Sequence, residues 1–135
     1  MKAKNPFVWT EISVDDLPRA RKFYETVLQI QMADMPMPEP MQVDVDSPDY
    51  FEMLAFPADM TTHGSGGALV KSNMGKPGAG GTMVYFHCED CSEEISRVAA
   101  AGGKVIAEKM SIGEHGFCGI CEDTEGNQIG FHSMT

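Results

Sequence analysis

The sequence predicts an α+β fold: two paired βαβββ modules whose strands form a curled mixed sheet around a cleft. Two observations carry this. A strand running directly into an amphipathic helix occurs twice, and each time three more strand-like runs follow. A Gly-rich stretch, Lys76-Pro77-Gly78-Ala79-Gly80-Gly81, separates the two occurrences. The reading is one domain over 1–135, with module one at 5–72, a linker at 73–81 and module two at 82–135.

Residues 7–28 hold the first strand and helix. Val8, Thr10, Ile12 and Val14 fall on one face of a pleated strand, and Trp9, Glu11 and Ser13 on the other. Asp15 or Asp16 is placed to cap the helix. Pro18 is tolerated because it sits in the first turn, where no intrahelical donor is lost. Leu17, Ala20, Phe23 or Tyr24, Val27 and Leu28 make one apolar stripe. One strand face therefore lies under the helix. The other, with an aromatic and a carboxylate on it, is where function is expected.

Gln29 to Met35 reads as a short strand, broken by Pro36, Pro38 and Pro40. An acidic loop spans 41–49, a strand 50–56, a Gly-, Thr- and Ser-rich loop 57–67 and a short strand 67–71. In the second half, Met83 to Asp90 leads into a helix from Cys91 to Ala101, stopped by Gly102-Gly103. Superposing Val14-Asp15-Asp16 on Cys88-Glu89-Asp90 sets Trp9, Glu11 and Ser13 over Met83, Tyr85 and His87. Strands follow at 104–110, 117–121 and 128–133, with a loop at 111–116 and a tight turn at 123–127.

Composition narrows the function classes. With 42% apolar and 8% aromatic residues the chain suits a globular protein, and no apolar run is long enough to cross a bilayer. No hydrophobic segment follows the charged N-terminus, so no secretory signal is expected and the cytoplasm is the expected location. Twenty acidic against ten basic residues give a net charge of −10, which repels phosphate backbones and anionic membranes. Neither nucleic acid nor membrane is expected as a partner. Met32, Met35, Met37, Met41, Met53, Met60 and Met74 read as adaptable packing or as a soft pocket for an apolar ligand.

Two CxxC pairs, Cys88/Cys91 and Cys118/Cys121, superficially suggest zinc. Their 26-residue spacer exceeds the usual gap of about 15–20 and contains a helix and a strand. Cys118 and Cys121 lie three apart on a strand and so face opposite ways. Buried thiols are expected.

The stretch Trp9-x-Glu11-Ile12-x-Val14-x-Asp16-Leu17-x-Arg19-Ala20-x-x-Phe23-Tyr24 resembles the opening of the vicinal oxygen chelate superfamily. Glu122 to Ser133 resembles its ending, and Gly66 to Val70 and Ile112 to Phe117 also match. That superfamily includes glyoxalase I, bleomycin-resistance proteins and extradiol dioxygenases. The nearest likeness is to small bacterial proteins related to lactoylglutathione lyase. The resemblance implies a dimer of glyoxalase-like domains, and a divalent metal held by the first and fourth strands of each module. In this sequence those positions fall on Trp9, Met83, Gly130 and either Ala68 or Leu69. None replaces a His or Glu ligand, so no metal or other cofactor is expected. The enediolate chemistry of the lyase, which needs the metal, is not expected either.

Polar groups remain on the same faces: Glu11, His87 and His132, with Tyr85 between Met83 and His87. Glu11 as base or anchor with His132 as partner is the catalytic expectation. Trp9, Met83, Tyr85, His87 and the Gly-flanked His115 are the expected ligand contacts. Two alternatives stand beside it: a displaced metal site made of Glu11, His87 and His132, or side chains satisfied locally. The function expected is a cleft for a small organic molecule, either that of a lyase or isomerase or that of a non-catalytic sequestering protein.

Overall fold

The first module is a mixed four-stranded sheet carrying one helix. This computed structural model describes residues 6–135. Met1–Asn5, part of the stretch judged to lack a secretory signal, fall outside the described residues. Strand β1 (Trp9–Ser13) leads into helix α1 (Leu17–Leu28), followed by β2 (Ala33–Met35), β3 (Phe51–Ala55) and β4 (Gly66–Ser72). The sheet order is β1-β4-β3-β2, with β4 parallel to β1 and antiparallel to β3. Asp16 is the cap: its Oδ1 accepts from Arg19 N at 2.9 Å. The helix ends where Gln29 turns left-handed at φ 54°.

The second module repeats this plan. It consists of β5 (Val84–His87), α2 (Cys91–Val98), β6 (Lys104–Ser111), β7 (Phe117–Glu122) and β8 (Gln128–Ser133), in the order β5-β8-β7-β6. Asp90 caps α2 by accepting from Ser92 N at 3.0 Å. Regular helix stops at Val98, short of the expected Ala101, and Gly102 then takes φ 99°. Met83 falls one residue before β5. Short helical turns occupy Glu39–Met41 and Gly113–His115. The two sheets are not closed into a barrel.

One core serves both modules. Ile12, Val14, Leu54 and Leu69 from the first sheet meet Phe23, Tyr24 and Val27 of α1, Ile95 and Val98 of α2, and Ile129 and Phe131 of the second sheet. Each such side chain contributes about 1.5–3 kcal/mol on burial. The stripe of α1 buries both Phe23 and Tyr24, where one was expected, because the helix is covered twice. The Tyr24 ring sits 5.6 Å from Phe56 of its own module and 5.8 Å from Phe86 of the other. Each sheet thus turns one face inward and leaves its other face outward.

A turn before β8 locks the modules together. The Tyr24 hydroxyl donates to Asp123 Oδ2 at 2.6 Å. Asn127 Nδ2 donates to the Ser13 carbonyl at 2.8 Å, and Asn127 Oδ1 accepts from Gly78 N at 2.8 Å. Glu125 Oε1 accepts from the amides of Asp15 and Asp16 at 2.9 and 3.0 Å, and Arg19 Nε donates to its Oε2 at 2.7 Å. Burial by itself would raise the Glu125 carboxyl. The hydrogen bonds from Arg19, Thr124 and the two amides outweigh it and hold the group at about 2. The acidic turn is therefore the clasp between halves.

All four cysteines are buried free thiols. Burial, reinforced by the nearby Glu94 carboxylate, pushes Cys88 up to about 12, and burial with Glu108 pushes Cys121 up to about 11. Cys118 pairs with His132 on the outward face and Cys121 with Ile129 on the inward one, as their spacing requires.

Candidate functional site

Strand parity places the candidate residues on the outward sheet faces. In the first sheet, Trp9 pairs with Gly66, Glu11 with Ala68 and Ser13 with Val70. Ala55 and Ala33 extend the Glu11 row, and Met53 and Met35 extend the Ser13 row. Glu11 thus heads a row of small side chains flanked by an indole on one side and thioethers on the other. The Trp9 indole N–H donates to Glu11 Oε2 at 3.1 Å. Its ring covers Gly66, where an added Cβ would lie 3.2 Å from Trp9 Cζ3.

The second sheet repeats the device one position along. Tyr85 pairs with Gly130, and a Cβ at Gly130 would lie 2.4 Å from the Tyr85 ring. Only a glycine leaves room for the ring to lie against the strand. His87 pairs with His132. His132 Nε2 lies 2.6 Å from the His115 carbonyl oxygen. A carbonyl only accepts, so Nε2 carries a proton and donates; in the neutral imidazole this puts the lone pair on Nδ1.

The structure brings some candidates together and keeps others apart. Trp9 and Glu11 are joined by a hydrogen bond, and His132 is joined to the backbone of His115. Tyr85, His87 and His132 share one face, while Glu11 lies on the other sheet. The His115 ring is 76% exposed and points to no candidate, its nearest ion-pair atom being Glu114 Oε1 at 3.7 Å. Met83 is half-buried beside β5.

Two cavities adjoin these faces. One, of about 620 Å³, is lined by Met35, Met37, Met41 and Met53 with Tyr50 and Phe51. A methionine lining for an apolar ligand was the second of the two sequence readings. Its side chains come from two strands and two loops, so spacing along the chain could not place them. The other, of about 430 Å³, lies between the modules and is bordered by Thr10, Ile12, Val84, Tyr85, His87 and Glu94. Glu94 gave no signal in the sequence, where it reads as one more acid in the first turn of a helix.

Two mixed βαβββ sheets with such outward faces define the class. The chain belongs to the glyoxalase/bleomycin resistance protein/dioxygenase superfamily, whose model matches residues 7–131. No curated protein matches it. Among solved structures it is similar to the trypanothione-dependent glyoxalase I of Leishmania major, at 18% identity over 97% of this chain and 88% of that one, with TM-score 0.67. It is also similar to a glyoxalase-related enzyme from Fulvimarina pelagi, at 13% identity over 97% and 88%, with TM-score 0.63. TnmS3, an antibiotic-binding protein from Streptomyces sp. CB03234, matches at 20% identity over all of both chains, with TM-score 0.64.

The superfamily implies a divalent metal. The positions that the resemblance implies for its ligands supply an indole at Trp9, a thioether at Met83, an alkyl group at Ala68 or Leu69 and no side chain at Gly130. None is a hard donor for a divalent cation, and the Tyr85 ring lies where a ligand at position 130 would stand. This donor set does not fit the metal. Among the described residues, no three His, Cys, Asp or Glu side chains are grouped to hold an ion, and this includes Glu11, His87 and His132.

Proposed function

We propose that the chain binds a small, largely apolar organic molecule on its outward sheet faces, and that it works as a binding or sequestering protein in which aromatic rings replace the family's metal ligands. The observation that carries this reading is the Tyr85 ring laid on Gly130, matched by the Trp9 ring laid on Gly66. Flat rings held against glycine backbone make stacking platforms, and the adjoining methionine cavity offers an adaptable apolar wall. Glu11 and the Trp9 indole supply polar orientation. Homodimerisation is part of the proposal, supported by exposed Trp9 and Tyr85 on the outward faces and exposed Ile106 and Met110 on the edge strand β6.

Trp9 is the sole tryptophan, so its fluorescence reports on this site alone. Titration with acridine, a planar uncharged probe, is expected to quench it saturably. By calorimetry, Tyr85→Ala should weaken binding at least tenfold, and EDTA should leave it unchanged. Loss of binding with EDTA, or a stoichiometric divalent ion in protein purified without chelator, would replace this reading with a metalloprotein.

A catalytic reading rests on His132, whose free Nδ1 can take a proton. Turnover of oxoaldehyde–thiol adducts or epoxides, lost in both Glu11→Gln and His132→Asn, would establish a lyase or isomerase.

A further inference from the structure

The groove between the modules has a feature that the outward faces lack. Its walls are Ile12, Leu28 and Ile30 from the first module and Val84 and Phe86 from the second, with Phe56 alongside. At about 430 Å³ it falls within the ~300–1,000 Å³ of small-molecule sites. Glu94 of α2 enters this apolar lining, and no Lys or Arg does. The Glu94 side chain is 15% exposed. Its Oε1 is buried and has no hydrogen-bond partner among the described residues. The other oxygen lies 3.9 Å from Arg97 Nη2, beyond hydrogen-bond range, and Arg97 Nε donates instead to the Val27 carbonyl at 2.9 Å. The Cys88 thiol lies beside the Glu94 carboxylate but is placed to donate to Phe86 O at 3.6 Å. A carboxylate oxygen left unpaired against apolar walls is costly, and it binds strongly to whatever donor reaches it.

We infer that this groove is a second ligand site, taking a compact organic ammonium ion: the cationic nitrogen pairs with the Glu94 carboxylate, and an aryl or branched alkyl body fills the space between Ile12, Val84 and Phe86. The chemistry of the lining selects this class. A neutral alcohol gains the apolar contacts but forms a weaker hydrogen bond to the carboxylate, since charge-assisted bonds are roughly twice as strong. An anion is repelled by Glu94 and by the net charge of −10. The groove borders the outward-face site, since Tyr85 and His87 line its rim, but it differs in Glu94, Ile12 and Phe86, which belong to the inward side of the fold, and Trp9 does not line it.

The test is an NMR titration of the full chain with benzylamine at neutral pH, read at the methyl groups of Ile12, Ile30 and Val84. The expected result is saturable one-to-one binding, with benzyl alcohol at least tenfold weaker and benzoate silent. Glu94→Gln should reduce benzylamine to the level of the alcohol. Ile30→Trp, which adds bulk to the lining of the groove, should abolish both and serves if Glu94→Gln does not fold. Equal binding of amine and alcohol, undiminished benzylamine binding in Glu94→Gln, or no saturable shift with benzylamine, cyclohexylamine and isobutylamine would each overturn the inference. Glu94→Gln should leave the acridine titration of Trp9 unchanged while weakening benzylamine, so either proposal can fail alone.

Discussion

A methyl group at position 130 would stand 2.4 Å from the Tyr85 ring, so the ring, half exposed on its other side, must swing off the strand and lose its contact with it. Gly130→Ala should therefore destabilise the fold by about 2 kcal/mol, the usual cost of overpacking. In a Tyr85→Ala background the same change should cost much less, because the obstacle is gone. Urea denaturation of the four proteins in this cycle measures the coupling, and additive costs would show that the ring does not rest on Gly130. The residue scale is also where sequence reading was strongest for the site. Strand parity alone put Trp9, Glu11 and Ser13 on one face and Tyr85 with His87 on the equivalent face, and register confirms those faces. It could not reveal that Tyr85 covers Gly130 or that His132 donates to the His115 carbonyl, because both contacts join residues from different elements.

At the scale of elements, the turn Asp123–Asn127 does more than reverse the chain. Glu125 closes the N-terminus of α1, accepting two amides and Arg19. Glu125→Gln should lose about 2 kcal/mol at neutral pH, since it weakens several hydrogen bonds to a charged group. The sign with pH follows from a folded-state value near 2, below an unfolded value of about 4.3. A depressed carboxyl stabilises the fold fully above the unfolded value, and that contribution drains away as pH falls through the folded one. The stability gap between wild type and Glu125→Gln should therefore be widest near neutrality and narrow steadily below about pH 4. A gap that does not change with pH would show that Glu125 is not held ionised by these partners. From sequence the turn was legible as a turn, and Gly126 does take φ 86°. Its part as a clasp was not, because its partners lie more than a hundred positions away in the chain.

For the whole molecule, both sheets spend their inward faces on a shared core, which leaves Trp9 and Tyr85 exposed on the outward faces and Ile106 and Met110 exposed on the edge strand β6. Such surface favours a second copy. Sedimentation equilibrium is expected to give a dimer at micromolar concentration. Tyr85→Lys together with Ile106→Lys is expected to give a folded monomer. A wild-type monomer across that range would remove dimerisation from the proposal. No helix among the described residues is long and apolar enough to cross a membrane.

What the sequence determined by itself is what repeats locally: two strand–helix units with acidic caps, the faces of their strands, and buried cysteines three apart that face opposite ways. These follow from periods of two and 3.6 residues, which depend on near neighbours only. The resemblance also sets the superfamily's metal positions on Trp9, Met83, Gly130 and either Ala68 or Leu69, an expectation that needs only a register along the chain. Tertiary structure alone decided which rings lie on which glycines, which loops bring Met37 and Met41 to Met53, and that Glu94 lines a groove between modules with one carboxylate oxygen buried and unpaired among the described residues. The physical reason is that burial and hydrogen-bond satisfaction are properties of all the neighbours a group meets in space, and few of those are its neighbours in the chain.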